Sequence, residues 1–121
     1  MTTQILVIED NDDNREILRD LLTSVGYGIL EATTGHRGVC AAVTHGPALI
    51  LMDLQLPDID GYEATRRIKA HPALAHIPII AVTAYALSGD DVKARQAGCD
   101  AYVAKPFDPR TLLAIIRTYL A

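Results

Sequence analysis

The sequence predicts an α/β fold in which a five-stranded parallel sheet lies between two layers of helices. Two observations support this prediction. Apolar runs of strand length alternate with segments of helical periodicity along the 121 residues, and this alternation is typical of parallel sheets with right-handed crossovers. In addition, residues 48–52 are all apolar, as expected for a central strand that is buried on both faces.

The first half of the chain contains two predicted strands and two predicted helices. Residues 5–8 form an apolar strand that ends at Glu9. Gly26 then ends a helix whose apolar residues recur at helical spacing: Ile17, Leu18, Leu21, Leu22 and Val25. Gly28–Ala32 fits a short strand, and Gly35–His45 fits a helix that a Gly-Pro pair closes.

The central strand, residues 48–52, ends on the carboxylate of Asp53, and a turn-rich segment follows it. Residues 62–70 fit a helix with Ala64 and Ile68 facing inward. Residues 78–82 form a further buried strand, which leads directly to a threonine at position 83. Each of these strands therefore ends next to a polar side chain.

The last third of the chain repeats the pattern. Residues 88–97 fit a helix that begins with a capping box between Ser88 and Asp91. Ala101–Ala104 fits a short fifth strand. The final helix begins at an Asp-Pro pair, which supplies an N-cap and a proline at the first helical position.

For five strands and five helices of this size, the flavodoxin-like doubly wound sheet with strand order 2-1-3-4-5 is the expected topology. Strands one and three are neighbours in this order. Their carboxyl ends bring Glu9 and Asp10 beside Asp53, and Thr83 and Lys105 reach the same edge after strands four and five. Open α/β sheets bind their ligands at this edge.

Three carboxylates in one place repel one another unless a cation lies between them. Hard oxygen ligands favour magnesium, which also retains several waters. We expect Asp10 and Asp53 to be direct ligands and Glu9 to act through water. The main-chain carbonyl of Gln55, just past Asp53, is expected to complete the set.

The same residues predict phosphoryl chemistry. A carboxylate such as that of Asp53 can attack phosphorus and form an acyl phosphate. Lys105 would meet the negative charge of the phosphoryl group, and the Thr83 hydroxyl would donate a hydrogen bond to it. Positioning and charge neutralisation are the main demands that phosphoryl transfer makes on a protein.

Composition limits the possible partners. The net charge of −4 provides no basic surface for nucleic acid. No apolar run of about twenty residues is present, so we expect no membrane insertion, and the first strand leaves no room for a signal peptide. We interpret Cys40 and Cys99 as reduced, mostly buried thiols of a cytoplasmic protein. The four histidines share no metal-ligand spacing, so surface or capping roles are expected.

Taken together, these residues resemble those of a bacterial response-regulator receiver domain in its stand-alone, CheY-like form. The resemblance spans residues 1–121, a single domain. It rests on an acid pair, a phosphoacceptor, a hydroxyl residue, a switch aromatic and a Lys-Pro step: Glu9 and Asp10, Asp53, Thr83, Tyr102, and Lys105 with Pro106. Glu9 stands where many members have Asp, a variant that should still bind the metal through water.

The resemblance implies a phosphorylation switch and not an enzyme with an external product. Asp53 would accept phosphate from a phosphohistidine on a histidine kinase or a histidine phosphotransfer protein, and the domain would assist its own phosphorylation and dephosphorylation. Thr83 would then move toward the phosphoryl group and Tyr102 would follow. The face formed by the fourth helix, fifth strand and fifth helix would bind a downstream protein target. The Lys105–Pro106 bond is expected to be cis.

Two further expectations follow from the resemblance. Phosphodonor proteins should dock on the first helix and on the loop after the fifth strand, with Leu18, Pro106 and Phe107 as apolar contacts. Gln55 and Tyr85 should border the path of the hydrolytic water. Because Tyr85 is bulky and has a reference pKa of about 10, we expect slow hydrolysis of the acyl phosphate.

Several alternatives stay open or are disfavoured. The chain ends with the last helix, so we expect it to act through partners or to pass phosphate onward in a relay. It could also be a receiver domain excised from a hybrid histidine kinase, or a receiver used only for docking. A haloacid dehalogenase-like phosphatase would require an Asp where Gln55 stands. Calcium binding in an EF-hand loop is excluded by Arg15 and Leu21, which occupy its Gly and Glu positions.

Overall fold

The structure is a computed structural model that describes residues 3–84 and 90–120. Within these residues five strands and five helices alternate. The strands are β1 (Gln4–Ile8), β2 (Gly28–Ala32), β3 (Leu49–Met52), β4 (Ile79–Thr83) and β5 (Ala101–Ala104). The helices are α1 (Asp12–Ser24), α2 (Gly35–His45), α3 (Gly61–Ala70), α4 (Asp90–Ala97) and α5 (Pro109–Leu120). Among the described residues, no helix has the length and hydropathy needed to cross a membrane.

The five strands form one parallel sheet in the order β2-β1-β3-β4-β5, which confirms the predicted topology. β1 and β3 are direct neighbours and end in register, because Ile8 is paired with Met52. The next residue of each strand is a carboxylate. The Asp53 N–H donates to the Ile8 carbonyl at 3.0 Å, and the Glu9 N–H donates to the Ala32 carbonyl at 3.0 Å. The backbone of both acids is therefore fixed by the sheet.

The sheet is covered on both faces, which explains why its central strands are apolar at every position. One core cluster packs under α2, α3 and α4 and contains alternate strand residues such as Leu6, Ile50 and Ala81. The other packs under α1 and α5 and contains the intervening residues, such as Val7 and Leu51. This arrangement follows from the two-residue period of a strand.

Polar N-caps determine where three helices begin. Asn11 Oδ1 accepts the Asn14 N–H at 2.9 Å and caps α1. Thr34 caps α2 by accepting the Arg37 N–H at 3.1 Å. Asp60 caps α3 by accepting the Glu63 N–H at 2.8 Å. Each cap closes a loop that follows a strand, so all three helix N-termini lie toward the carboxyl edge of the sheet.

The predicted boundaries agree closely with the structure. β2, α2 and β5 have the predicted bounds, whereas α3 begins one residue earlier than predicted, at Gly61, because Asp60 is its cap. The predicted inward residues Ala64 and Ile68 are fully buried. The capping box predicted at Ser88 lies outside the described residues. The predicted N-terminal proline of the last helix is confirmed, since α5 starts at Pro109.

The apolar residues that recur at helical spacing along α1 are buried to very different extents. Leu18 and Leu22 are buried, but Ile17 is 56 % exposed and Val25 is 40 % exposed. A helix that packs with only one stripe against the sheet leaves flanking apolar residues outside the contact. Ile17 therefore belongs to the surface.

Both cysteines are free thiols, as predicted, but only one of them is buried. Cys99 packs in the core, and its Sγ lies 3.6 Å from the Thr65 hydroxyl oxygen. Burial raises the pKa of the Cys99 thiol. Cys40 is exposed on α2, so the prediction that both thiols are mostly buried is wrong for Cys40. All four histidines are exposed, in agreement with their predicted surface roles.

Candidate functional site

The carboxyl edge of the sheet brings together the three carboxylates that the sequence singled out. Glu9 follows β1 and is 2 % exposed, and Asp53 follows β3 and is 7 % exposed. Asp10 is exposed at the start of the loop that leads to α1. One oxygen from each of the three lies within 4.8 Å of the others. Among the described residues, this is the only cluster of acidic, histidine or cysteine side chains with that geometry.

These acids line an open polar cleft with a volume of about 390 Å³. The cleft is bordered by Glu9, Asp10, Asn11, Asn14, Asp53, Gln55, Ala84 and Lys105. Side chains from the loops after β1, β3 and β5 therefore face a single space. Its polar walls and its access to solvent suit a small charged ligand better than an apolar one.

Lys105 supplies positive charge to the acid cluster. It follows β5, and its N–H donates to the Thr83 carbonyl at 2.7 Å, which links the loops after β4 and β5. Its Nζ forms a close ion pair with Glu9 Oε1 and lies 3.5 Å from Asp53 Oδ2. The Lys105–Pro106 peptide bond is cis, as the family resemblance implied.

The charge balance of the cluster favours a bound cation. Burial raises the pKa of Glu9, and a hydrogen bond shared with Asp53 raises it further, although Lys105 acts in the opposite direction. One lysine thus balances three carboxylates only in part. The donor set consists of hard oxygen atoms at an open site, which fits magnesium with several retained waters.

The Asp53 carboxylate has a fixed orientation. Its Oδ1 accepts the Gln55 N–H at 3.0 Å, while Oδ2 faces Lys105. Behind it, the Gly61 N–H donates to the Leu54 carbonyl at 3.0 Å and closes the loop. A Cβ on Gly61 would lie 2.4 Å from the Asp53 carbonyl oxygen. Glycine is required here because any side chain would displace the backbone of Asp53.

Asp58 is a structural residue of the site that no sequence pattern indicated. Its carboxylate accepts the N–H groups of Gly35 at 2.8 Å and His36 at 2.9 Å. Burial alone would raise its pKa, but these backbone donors outweigh burial and lower the pKa of Asp58 to about 2. Asp58 thereby attaches the loop after Asp53 to the first turn of α2.

Thr83 and Tyr102 lie on the same face of the sheet. Thr83 is fully buried at the end of β4. Tyr102 is partly buried in β5 against the core under α2, α3 and α4. β4 and β5 are in register, with Thr83 opposite Ala104 and Ala81 opposite Tyr102. The two side chains are therefore diagonal neighbours, close enough for one to respond to a movement of the other.

An apolar groove with a volume of about 280 Å³ lies next to the acidic cleft. It is lined by Asn14, Ile17, Leu18, Lys105, Pro106, Phe107 and Pro109, between α1 and the start of α5. Leu18 is only 3 % exposed and forms the floor, whereas Ile17 is 56 % exposed at the rim. The three predicted docking residues thus meet in one groove, but the sequence missed Ile17 as its main exposed side chain.

Only one of the two residues predicted to border the path of the hydrolytic water lies within the part of the chain that the structure describes. Gln55 is exposed and lines the acidic cleft. Tyr85 lies outside the described residues. That both side chains border the path of the hydrolytic water therefore stays a prediction.

A five-stranded parallel sheet in this order, with an acid cluster and a lysine at its carboxyl edge, defines the receiver class of signalling domain. The response regulator receiver domain family matches residues 5–117 of the chain, and the chain belongs to this family. Receiver domains of this kind act in two-component signalling as switches, not as classical enzymes.

Similar proteins agree with this assignment. The chain is 42 % identical over 120 residues to the polar-differentiation response regulator DivK of Brucella ovis, covering 99 % of this chain and 98 % of that protein. A CheY-like receiver domain protein from Methanospirillum hungatei superposes with a TM-score of 0.90 at 32 % identity, covering 99 % of this chain and 94 % of that one.

A third similar protein carries a metal ion. The receiver domain of a sensor histidine kinase from Pseudomonas aeruginosa superposes with a TM-score of 0.93 at 39 % identity, covering 99 % of this chain and 98 % of that one. That structure has a magnesium ion coordinated in its active-site cleft.

Proposed function

We propose that this chain is a phosphorylation switch, a single receiver domain over residues 1–121, that accepts a phosphoryl group on Asp53 from a phosphohistidine. The geometry of Asp53 supports the proposal. Its carboxylate lies at the wall of an open cleft, with Oδ1 held by the Gln55 N–H and Oδ2 3.5 Å from Lys105 Nζ. A fixed, lysine-facing carboxylate is suited to act as a nucleophile.

The transfer needs little from the protein beyond positioning and charge. A carboxylate oxygen of Asp53 attacks phosphorus, the bond from phosphorus to the imidazole nitrogen breaks, and the imidazole leaves. Lys105 can turn from Glu9 toward the incoming phosphoryl oxygens, because its flexible side chain already reaches both acids. The Thr83 hydroxyl would donate a hydrogen bond to the transferred group.

We propose magnesium as the cofactor, held by Asp10 and Asp53 directly, by Glu9 through water and by the Gln55 carbonyl. Bound there, magnesium supplies positive charge for the carboxylates and for the phosphoryl oxygens. The three carboxylates within 4.8 Å of one another support this assignment. The magnesium ion in the Pseudomonas aeruginosa receiver domain supports it further.

The proposed output face consists of α4, β5 and α5. The described part of α4 is weakly attached to the sheet, since Val92 is 50 % exposed and its buried residues Ala94 and Ala97 are small. A helix with few buried apolar contacts changes position at low cost. Movement of Thr83 toward the phosphoryl group would vacate space that Tyr102 can fill, and the face recognised by a downstream protein would change.

Lys105 should couple phosphorylation to this face. We expect Lys105→Ala to accept some phosphate but to respond weakly, because the phosphoryl group loses the cation that draws the loop after β5 toward it. Amide chemical shifts of residues 90–104 on addition of beryllofluoride, an acyl-phosphate mimic, measure the response. Shifts as large as those of the wild type would disprove the coupling role.

We propose that phosphodonor proteins, a histidine kinase or a histidine phosphotransfer protein, dock on the apolar groove beside the cleft. Ile17→Ser should slow phosphotransfer from the donor protein about tenfold, because it removes an exposed apolar side chain at the groove rim. Phosphorylation by acetyl phosphate should not change. Val43→Ser is the matched control, since Val43 is 52 % exposed on α2, across the sheet.

Phe107→Ser tests the other side of the same groove. It should slow phosphotransfer from the donor protein more than phosphorylation by acetyl phosphate. Equal slowing of both reactions would indicate a folding defect. If Ile17→Ser and Val43→Ser have the same effect on phosphotransfer, the groove is not the docking surface.

The proposed acyl phosphate on Asp53 should hydrolyse slowly. Gln55 at the cleft and the bulky Tyr85 would hinder the approach of water, so the acyl phosphate would be long-lived. This would suit a relay or a developmental signal. We propose a cytoplasmic location. The target is either a downstream effector protein or the histidine of a further relay protein. The alternative is that this domain is part of a hybrid histidine kinase.

The experiment that tests the function as a whole is phosphotransfer. The purified protein is incubated with a panel of phosphorylated histidine kinases in magnesium, and transfer of radiolabelled phosphate is followed over time. We expect rapid transfer from at least one kinase and labelling by acetyl phosphate as well. The absence of labelling from all kinases and from acetyl phosphate would reject the proposal.

A further inference from the structure

We propose that Arg15 is a positioning residue for the magnesium site, an inference that rests on the proposed function. Arg15 lies in α1 and its side chain is only 13 % exposed. Its Nη1 donates to the Glu9 carbonyl at 3.1 Å and to the Asp10 carbonyl at 3.3 Å. One guanidinium nitrogen thus holds the backbone of both acids of the pair.

The peptide groups of these two carbonyls belong to the backbone from which the acid side chains extend. The Glu9 N–H is already fixed to β2 through the Ala32 carbonyl at 3.0 Å. Beyond that bond the chain leaves the sheet and turns into α1, so the Glu9 and Asp10 carbonyls lie past the last sheet hydrogen bond. Arg15 is the group that the structure brings to them, and the two N–H bonds of its Nη1 allow one nitrogen to donate to both.

Arg15 is itself held in place by two acids. Its Nη2 lies 2.5 Å from Asp12 Oδ1, and its Nε lies 3.5 Å from Glu31 Oε1. Glu31 is in β2 and also pairs with Arg19 through contacts of 3.1 Å and 2.7 Å. A continuous set of contacts therefore runs from β2 through the guanidinium to the backbone of the acid pair.

Positioning and simple electrostatics predict opposite outcomes when Arg15 is replaced. Removing a positive charge near a cation site, and leaving Asp12 without its ion-pair partner, makes the local potential more negative and should strengthen magnesium binding. Loss of positioning lets the acid pair move and should weaken binding. The sign of the change in affinity therefore distinguishes a positioning role from a general charge effect.

The experiment compares magnesium affinity, measured by calorimetric titration, for wild type, Arg15→Met, Arg15→Lys and Arg19→Met. We expect Arg15→Met to bind about tenfold more weakly, the size of effect seen when groups that orient metal ligands are removed. Arg15→Lys keeps the charge but not the planar guanidinium that also contacts Asp12 and Glu31, and should be intermediate. Arg19→Met removes the same charge beside Glu31 without touching the loop, and should bind as tightly as wild type or tighter.

A second readout separates positioning from loss of the fold. Phosphorylation by acetyl phosphate should return to the wild-type rate for Arg15→Met at saturating magnesium, because only metal affinity is impaired. Unchanged or tighter magnesium binding by both Arg15 variants would overturn the inference. If Arg15→Met does not fold, the test is the magnesium affinity of Arg15→Lys alone. An affinity equal to that of the wild type would then reject the positioning role. Failure of the wild type to bind magnesium would instead reject the proposed function.

Discussion

Asp53→Asn is expected to abolish phosphorylation by acetyl phosphate in magnesium. An amide oxygen lacks the negative charge that makes the carboxylate a nucleophile, so the acyl phosphate cannot form. The substitution preserves shape, and the amide oxygen can still accept the Gln55 N–H that now binds Oδ1 at 3.0 Å. Removing one of three clustered charges also relieves repulsion. The variant should therefore fold normally while losing all labelling.

The measurement is the intact mass after incubation, which should increase by one phosphoryl group for the wild type and not at all for Asp53→Asn. Glu9→Gln is the matched control, because it removes a neighbouring carboxylate of the same cluster and leaves Asp53 in place. We expect Glu9→Gln to be labelled, although more slowly. Labelling of Asp53→Asn at the wild-type level would show that another residue is the acceptor.

Asp10→Ala is expected to weaken magnesium binding by more than about tenfold, since groups that merely orient metal ligands already contribute about that much. Asp10 is the exposed member of the acid cluster, with an oxygen within 4.8 Å of those of Glu9 and Asp53. In the absence of metal, the Asp10→Ala variant should be no less stable to unfolding than the wild type. Carboxylate oxygens of the three acids lie within 4.8 Å of one another, so removal of the Asp10 charge relieves repulsion when no metal is bound.

Magnesium affinity is measured by calorimetric titration, and stability by thermal unfolding in chelator. Asp13→Ala provides the control, because Asp13 is an exposed acid in the first turn of the same α1 helix. It changes the net charge equally but offers no oxygen to the cluster, so its effect should be less than about twofold through screened charge alone. Equal effects of Asp10→Ala and Asp13→Ala would mean that Asp10 is not a ligand.

Local sequence patterns were sufficient to predict most of the fold. Strand-length apolar runs and polar helix caps gave the element order, and the topology of parallel sheets then located Glu9, Asp53 and Lys105 at one edge. The hydrophobic pattern placed Ile17 among the apolar residues of α1 but could not predict how much of that helix the sheet covers. The expectation that Cys40 is mostly buried rested on general cysteine usage, which does not indicate the face of α2 on which this residue lies.

The sequence did not predict the contacts that side chains make with the backbone of neighbouring loops and helices. From the sequence, Arg15 serves only to exclude an EF-hand loop, because nothing in the spacing indicates that its side chain returns to the Glu9 and Asp10 carbonyls. Asp58 was likewise unremarkable in a turn-rich segment. Its role arises only when α2 presents its first N–H groups to that loop. An acid in a loop that faces a helix N-terminus is the signal that could have identified it.

The attachment of Asp58 to α2 also determines how the site responds to acid. The pKa of Asp58 is about 2, below its ordinary value of 3.8, because backbone donors outweigh burial. A carboxyl group whose pKa is lowered by folding adds stability above its unfolded value, and that stability is lost as pH falls through the folded value. The loop that carries the proposed phosphoacceptor, Asp53, is therefore expected to stay anchored at neutral and mildly acidic pH and to loosen only as the pH falls from about 3.8 toward about 2.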